Sequence, residues 1–246
     1  MLCIHGVEAQ GLRYVGLASR LPGYELIAPD LRGHGRSPKV GPWGADQHLA
    51  DLLPLLDATS PSALLLGHSL GGFLAWRLAG LRAESIEALI LLDPAIALAQ
   101  SVVAECTTYE NSAVGHEWPD LSATFEYMTA ARPPSGLWAA ALDAATATER
   151  GPDGRFRPVV APDAVRVAYE FLAEPIQRTA WRGPTLLIEA GREHGRFVSP
   201  EVVSAMRDQL GDDLHHVVID GTHTLLSDYP DELAAAVASF LALIGG

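Results

Sequence analysis

Apolar positions along this chain fall into two kinds of segment that take turns. Short, mostly apolar segments at residues 1–4, 24–28, 63–66, 86–92, 185–188 and 215–219 have strand length, and Gly, Pro or Asp ends several of them. Between them apolar residues recur at helical spacing: Leu12, Val15, Leu17 and Leu21, then Leu49, Leu52, Leu53 and Leu56, then residues 73–81, 200–210 and 230–243. A run as uniformly apolar as 86–92 suits a strand covered on both faces. Strand–helix alternation therefore predicts an α/β domain with a mostly parallel sheet and helices on both faces, its site at the carboxyl ends of the strands. From Ile96 to about Ala180 the pattern changes. Strand signals vanish, and alanine-rich helical stretches alternate with breaks at Arg132-Pro133-Pro134 and Gly151-Pro152-Asp153-Gly154. The expected organisation is a core of residues 1–96 and 181–246 with a helical cap inserted at 97–180.

One stretch changes the picture from architecture to chemistry. Leu64-Leu65-Leu66-Gly67-His68-Ser69-Leu70-Gly71-Gly72-Phe73 is an apolar strand, a serine between glycines, and the start of a helix. A strand running straight into a helix must turn within very few residues, which strains the middle residue and leaves no room for side chains two before and two after it. Gly67 and Gly71 meet that demand. Ser69 then stands above the sheet as a candidate nucleophile, and the N–H of Leu70 faces any developing oxyanion. An HG pair, His5-Gly6, follows the first strand and offers the N–H of Val7 as second oxyanion donor; His5 itself reads as structural. The loop Pro29-Asp30-Leu31-Arg32-Gly33-His34-Gly35-Arg36-Ser37 lacks the lysine and helix register of a phosphate cradle and reads as a tight structural loop.

Composition narrows the partners. A net charge of −13 over 246 residues opposes a nucleic-acid or anionic-membrane partner. No leader pattern or membrane span is visible, and Cys3 and Cys106 show neither metal nor disulfide spacing, so the expected setting is cytoplasmic and reducing. No His/Asp/Glu grouping has the spacing of a metal site.

The HG pair, PDLRGHGRS, GHSLGG and a late Gly221-Thr222-His223 before the last helix resemble, in order and spacing, the α/β-hydrolase fold family. The resemblance spans nearly the whole chain outside the insertion. It implies a Ser-His-acid triad with Ser69 as nucleophile and His223 as general base, and it needs no cofactor. Two departures stand out. At the family's usual acid position the chain reads Ala190-Gly191-Arg192-Glu193-His194, with His194 where a carboxylate belongs; two substitutes are open, Asp93 at the end of the 86–92 strand and Glu193. The family's first two antiparallel strands are also missing, which leaves strand 24–28 as a sheet edge. That edge either pairs with a second copy in a homodimer, or the sequence is shortened at its start.

The implied function is a serine hydrolase acting on a small-to-medium apolar ester, lactone or related carbonyl substrate. C–C bond hydrolysis or a lyase reaction on the same fold, and a non-catalytic binding protein, stand as alternatives. Aromatic residues in or beside the insertion, among them Trp118, Tyr127, Trp138, Phe171 and Trp181, are expected to form its core and in part to line an apolar pocket. His116 and His194 are candidates to approach the site.

Overall fold

The structure, a computed structural model, describes residues 1–59, 62–130, 136–193 and 196–245, with side chains at all of these but 109–113 and 193. Its strands are β1 (Leu2–Ile4), β2 (Ala63–His68), β3 (Ile86–Leu92), β4 (Thr148–Arg150), β5 (Phe156–Pro158), β6 (Thr185–Ala190) and β7 (Leu214–Ile219). Its α-helices are α1 (Val15–Ala18), α2 (Ala45–Ala58), α3 (Leu70–Leu81), α4 (Gln100–Val114), α5 (Leu121–Thr129), α6 (Leu137–Thr146), α7 (Pro162–Leu172), α8 (Pro200–Leu210), α9 (Leu225–Asp228) and α10 (Pro230–Ile244).

The main sheet has the order β1-β2-β3-β6-β7 with every pairing parallel. Side chains of a strand point alternately to its two faces. Leu65, Leu89, Leu91 and Leu187 accordingly join a core with residues of α2, α3, α7 and α8, whereas Leu66, Ile90, Leu92, Leu186 and Ile188 join a second core with α9 and α10. Burial on both faces is the physical reason why β3 is apolar from Ala88 to Leu92, with the exposed Glu87 near its start. The register pairs Ile4 with Gly67, His68 with Leu92, and Leu92 with Ile188, so the carboxyl ends of four strands lie side by side.

Three local expectations are revised. The helical spacing over 12–21 yields a 3-10 turn, Gly11–Tyr14, and only one turn of α-helix, α1. Gly11 gives its N–H to the Asp30 carboxylate at 2.8 Å, and a side chain there would come within 2.0 Å of the Ala28 carbonyl oxygen, so the segment is held against the neighbouring loop before a regular helix can start. Residues 24–28 form one bridge to the first strand, at Ile27, which donates to the Met1 carbonyl at 2.9 Å and accepts from Cys3 at 2.8 Å, and the Glu25 carbonyl accepts from the Met1 amino group at 2.8 Å. Tyr24 turns its N–H back to Leu21, and Pro29 has none to offer, so no ladder extends.

The third revision lies in the inserted segment. It carries, besides α4 to α7, the antiparallel pair β4–β5, turned at Gly151-Pro152-Asp153-Gly154 with Gly154 at φ 83°. Two three-residue strands with charged members are too short for alternation to register in a sequence. The Arg132-Pro133-Pro134 break lies outside the described residues.

The insertion is anchored to the core rather than merely laid over it. Val165, Ala168, Tyr169, Phe171 and Leu172 of α7 belong to the same core cluster as α3. On α6, the carboxylate of buried Asp143 accepts from Arg13 Nε at 2.5 Å, and Trp138 fills the space left by Gly16. Among the described residues no helix is long and apolar enough to cross a membrane.

Removing one member of a largely buried ion pair leaves the other charge less well compensated in a poorly solvated place. Arg13→Met is expected to lower the unfolding free energy by about 3 kcal/mol in urea titrations; a change indistinguishable from zero would show that the pair does not hold α6 in place.

Candidate active site

Ser69 sits between β2 and α3 with φ 53° and ψ −118°, in the left-handed half of backbone space that a residue with a side chain rarely enters. Such a conformation costs on the order of 1–3 kcal/mol and persists where its surroundings over-determine it. Here the surroundings are explicit. The Ser69 N–H donates to Leu92 O at 3.1 Å, and its carbonyl accepts from Gly72, Phe73 and Ala95 at 2.9, 3.1 and 3.1 Å. The flanking glycines are required by contact: a Cβ on Gly71 would lie 1.9 Å from Ile4 O, and one on Gly67 2.1 Å from Gly71 O. Leu70 opens α3, where backbone N–H groups have no partner within the helix and the helix dipole favours negative charge.

The segment after β1 packs against this turn. A Cβ on Gly6 would be 3.0 Å from Ser69 Cβ, so His5-Gly6-Val7 runs directly beside the serine. His5 is fully buried; its Nε2 accepts the Leu31 N–H at 2.9 Å, which leaves Nδ1 to donate to Gly6 O at 2.7 Å. Both ring nitrogens are thereby occupied by backbone, and His5 ties the Val7 loop to the PDLRGHGRS loop. That second loop is closed on itself: the Asp30 carboxylate accepts from Gly11 and Arg36 N–H groups, and Ser37 Oγ donates to Asp30 O at 2.6 Å.

Of the two candidate acids, Asp93 meets His223. Asp93 follows β3 at φ 40° and is buried. Its N–H donates to Ile188 O at 2.7 Å, Oδ1 accepts from the Ala190 N–H at 3.0 Å, and Oδ2 lies 2.6 Å from His223 Nδ1. A carboxylate can only accept, so the proton of this contact sits on Nδ1, and in the neutral ring Nε2 is the lone-pair nitrogen. The backbone of Glu193 ends a 3-10 turn, Gly191–Glu193, whose Arg192 N–H donates to Gly221 O at 3.0 Å. The Glu193 side chain and His194 lie outside the described residues.

Two neighbours of His223 carry no signal that the sequence reading used. Phe197 stacks on its ring at 3.6 Å between centroids and 13° between planes, and His68 Nε2 lies 2.8 Å from its backbone carbonyl. Nothing in the sequence marks Phe197. His68 stood in view beside the serine, but its partner lies 155 residues away.

Other candidates settle elsewhere. His116 stacks with Tyr127 and Trp118, ring centroids 4.8 Å apart in each case. Trp181 is buried and donates to Thr185 Oγ1 at 2.8 Å, at the amino end of β6 and so away from the strand ends that hold Ser69. A cavity of about 880 Å³ opens between Gln10, Val15, Leu26, Arg36 and Glu149. Ser69 does not line it. Among the described residues no group of His, Cys, Asp or Glu could hold a metal ion.

Comparison with known proteins shows the family and the fold. The sequence model of the alpha/beta hydrolase family matches residues 1–236. Lipase LipV of Mycobacterium tuberculosis is 34% identical over 98% of this chain and 92% of its own length. The sn-1-specific diacylglycerol lipase ABHD11 of Mus musculus is 26% identical over 97% of this chain and 80% of its own. Among solved structures, E-2-(acetamidomethylene)succinate hydrolase superposes with a TM-score of 0.84 at 20% identity, covering 98% of this chain and 91% of that one. The thioesterase domain from the curacin biosynthetic pathway gives 0.77 at 24% identity, covering 97% and 90%. At these identities the two structures show the shared fold.

Burial sets the charge state of the imidazoles around the site. Desolvation pushes His5, His34 and His68 down to about 3 and His48 to about 4. A folded-state value below the ordinary 6.5 means that the unfolded chain binds more protons between those limits, so stability rises with pH through that window and is lost as pH falls. Unfolding near pH 5 should therefore take up about four protons at these positions, a slope of about 5 kcal/mol per pH unit. Urea unfolding measured from pH 7 to 4 checks this; a slope below one proton would mean that these histidines are charged in the folded protein.

Proposed function

Since the chain belongs to the alpha/beta hydrolase family, we propose that it is a serine hydrolase cleaving a small-to-medium apolar ester, lactone or related carbonyl compound through Ser69, His223 and Asp93. The observation that carries this reading is the 2.6 Å contact between Asp93 Oδ2 and His223 Nδ1, made by a carboxylate whose other oxygen is held by the Ala190 N–H. It leaves His223 Nε2 as the basic atom, on an imidazole anchored at the carboxyl end of the sheet where Ser69 stands.

In the proposed reaction His223 Nε2 takes the Ser69 hydroxyl proton as Oγ attacks the substrate carbonyl carbon. The carbonyl π electrons move onto oxygen, and the N–H groups of Val7 and Leu70 bind that oxyanion. Collapse of the tetrahedral intermediate breaks the bond to the leaving group, which receives the proton from His223. Water, deprotonated by the same imidazole, then attacks the acyl-serine carbonyl; collapse of the second intermediate breaks the bond to Ser69 Oγ, which takes the proton back from His223, and frees the acid. Asp93 holds the ring in one tautomer and balances the imidazolium formed in each half. An oxyanion donor of this kind is worth on the order of 3 kcal/mol in the barrier. The lipase names of the two relatives favour an ester over the C–C bond and lyase alternatives.

A panel of p-nitrophenyl esters and lactones assayed with the wild type, Ser69→Ala, Asp93→Asn and Glu193→Gln tests the assignment, together with labelling by a fluorophosphonate. Ser69→Ala should lose both turnover and labelling. Asp93→Asn should lose about 10⁴-fold in kcat, because the amide favours the wrong tautomer, whereas Glu193→Gln should turn over at near the wild-type rate. Full activity in Asp93→Asn with loss in Glu193→Gln would transfer the acid role to Glu193, and absence of labelling in the wild type would favour a binding protein.

A further inference from the structure

His68 touches three segments that a triad reaction needs in register. It is the last residue of β2, directly before Ser69. Its Nε2 lies 2.8 Å from the backbone carbonyl of His223, and the two rings are 4.8 Å apart. Its Nδ1 edge faces Gly6: a Cβ there would meet Nδ1 at 3.1 Å, beside the loop that presents Val7. A carbonyl can only accept, so Nε2 carries the proton and donates it, and Nδ1 is the lone-pair nitrogen. The side chain is buried, which keeps the ring neutral and the tautomer single.

We propose that His68 is a positioning residue that sets the height of the base: its Nε2–H holds the His223 backbone in register with Ser69 while its other edge abuts the Gly6-Val7 loop. The inference rests on His223 being the general base. The geometry makes the role specific. Asp93 grips the His223 side chain at Nδ1 and Phe197 covers the ring face, but neither fixes the backbone of the residue. His223 sits in the turn between β7 and α9, outside the sheet ladder and the helix. The hydrogen bond from His68 ties that turn to β2, the strand that carries the serine. A displacement of about 1 Å between reacting groups lowers rates by on the order of 10²-fold.

The test uses the full chain and p-nitrophenyl butyrate. His68→Phe fills the site without a donor. His68→Gln places an amide nitrogen as many bonds from Cα as Nε2, and His68→Asn places it one bond short. The expected result is a loss of about 10- to 100-fold in kcat for His68→Phe and His68→Asn, with KM unchanged and the rate of fluorophosphonate labelling falling in parallel. His68→Gln should recover most of both rates. The downfield proton resonance of the Asp93–His223 contact should shift in His68→Asn and stay in His68→Gln. If His68→Phe fails to fold, the Gln–Asn pair still decides. Equal kcat in Gln and Asn variants, or wild-type kcat in His68→Phe, overturns the positioning role. His223→Asn separates the two levels: if it abolishes turnover while the His68 variants are unaffected, only this inference fails, and if it leaves turnover intact, the triad assignment fails with it.

Discussion

The site depends on a turn that has no room in it. Between β2 and α3 the chain passes from strand to helix within Ser69, and the backbone of Gly71 lies against the carbonyl of Ile4 so closely that a single methyl group would collide. That contact draws β1 and α3 together and brings the loop after β1 alongside the serine. The hydrogen bonds made by Ser69 to Leu92, Gly72, Phe73 and Ala95 then hold a backbone conformation that would otherwise relax. Position of the hydroxyl is thus a property of the main chain.

The same logic extends along the strand ends. Glu8, Ser69, Asp93 and Ala97 are non-glycine residues at positive φ, and they follow β1, β2 and β3. Strained backbone collects where a parallel sheet ends, because each strand must leave its ladder abruptly while its neighbours continue. Asp93 shows the consequence. Its N–H still pairs with β6 through Ile188, but its own turn sends the carboxylate sideways toward Ala190 and His223. An acid one strand over from the family's usual place can therefore reach the same imidazole, because both strands end at the same level.

Neutral histidines form the frame around these groups. His5 and His68 are buried and bonded to backbone carbonyl or amide groups, each linking segments distant in sequence. A buried imidazole can serve as donor and acceptor at once without charge, so it ties loops together without imposing a field on the His223 ring beside it. Burial makes this arrangement work at neutral pH and makes it fragile in acid.

Much was determined by the sequence alone. The alternation of apolar runs and helical spacing specified a parallel sheet covered on both faces, since only strands buried on two sides are apolar throughout. Gly67 and Gly71 marked the elbow around Ser69 because steric demands at those two positions leave no room for a side chain, and the HG pair and Gly221-Thr222-His223 marked the loops that converge on it. Tertiary structure decided what depends on distance between segments. Asp93 stands 130 residues from His223, and no local pattern distinguishes a carboxylate that caps a turn from one aimed at an imidazole. The stack of Phe197 and the hydrogen bond of His68 were hidden for the same reason. The strand at 24–28, reduced to a single pairing at Ile27, and the short β4–β5 pair depend on which neighbours offer free N–H and carbonyl groups, and a chain's own pattern does not record its neighbours.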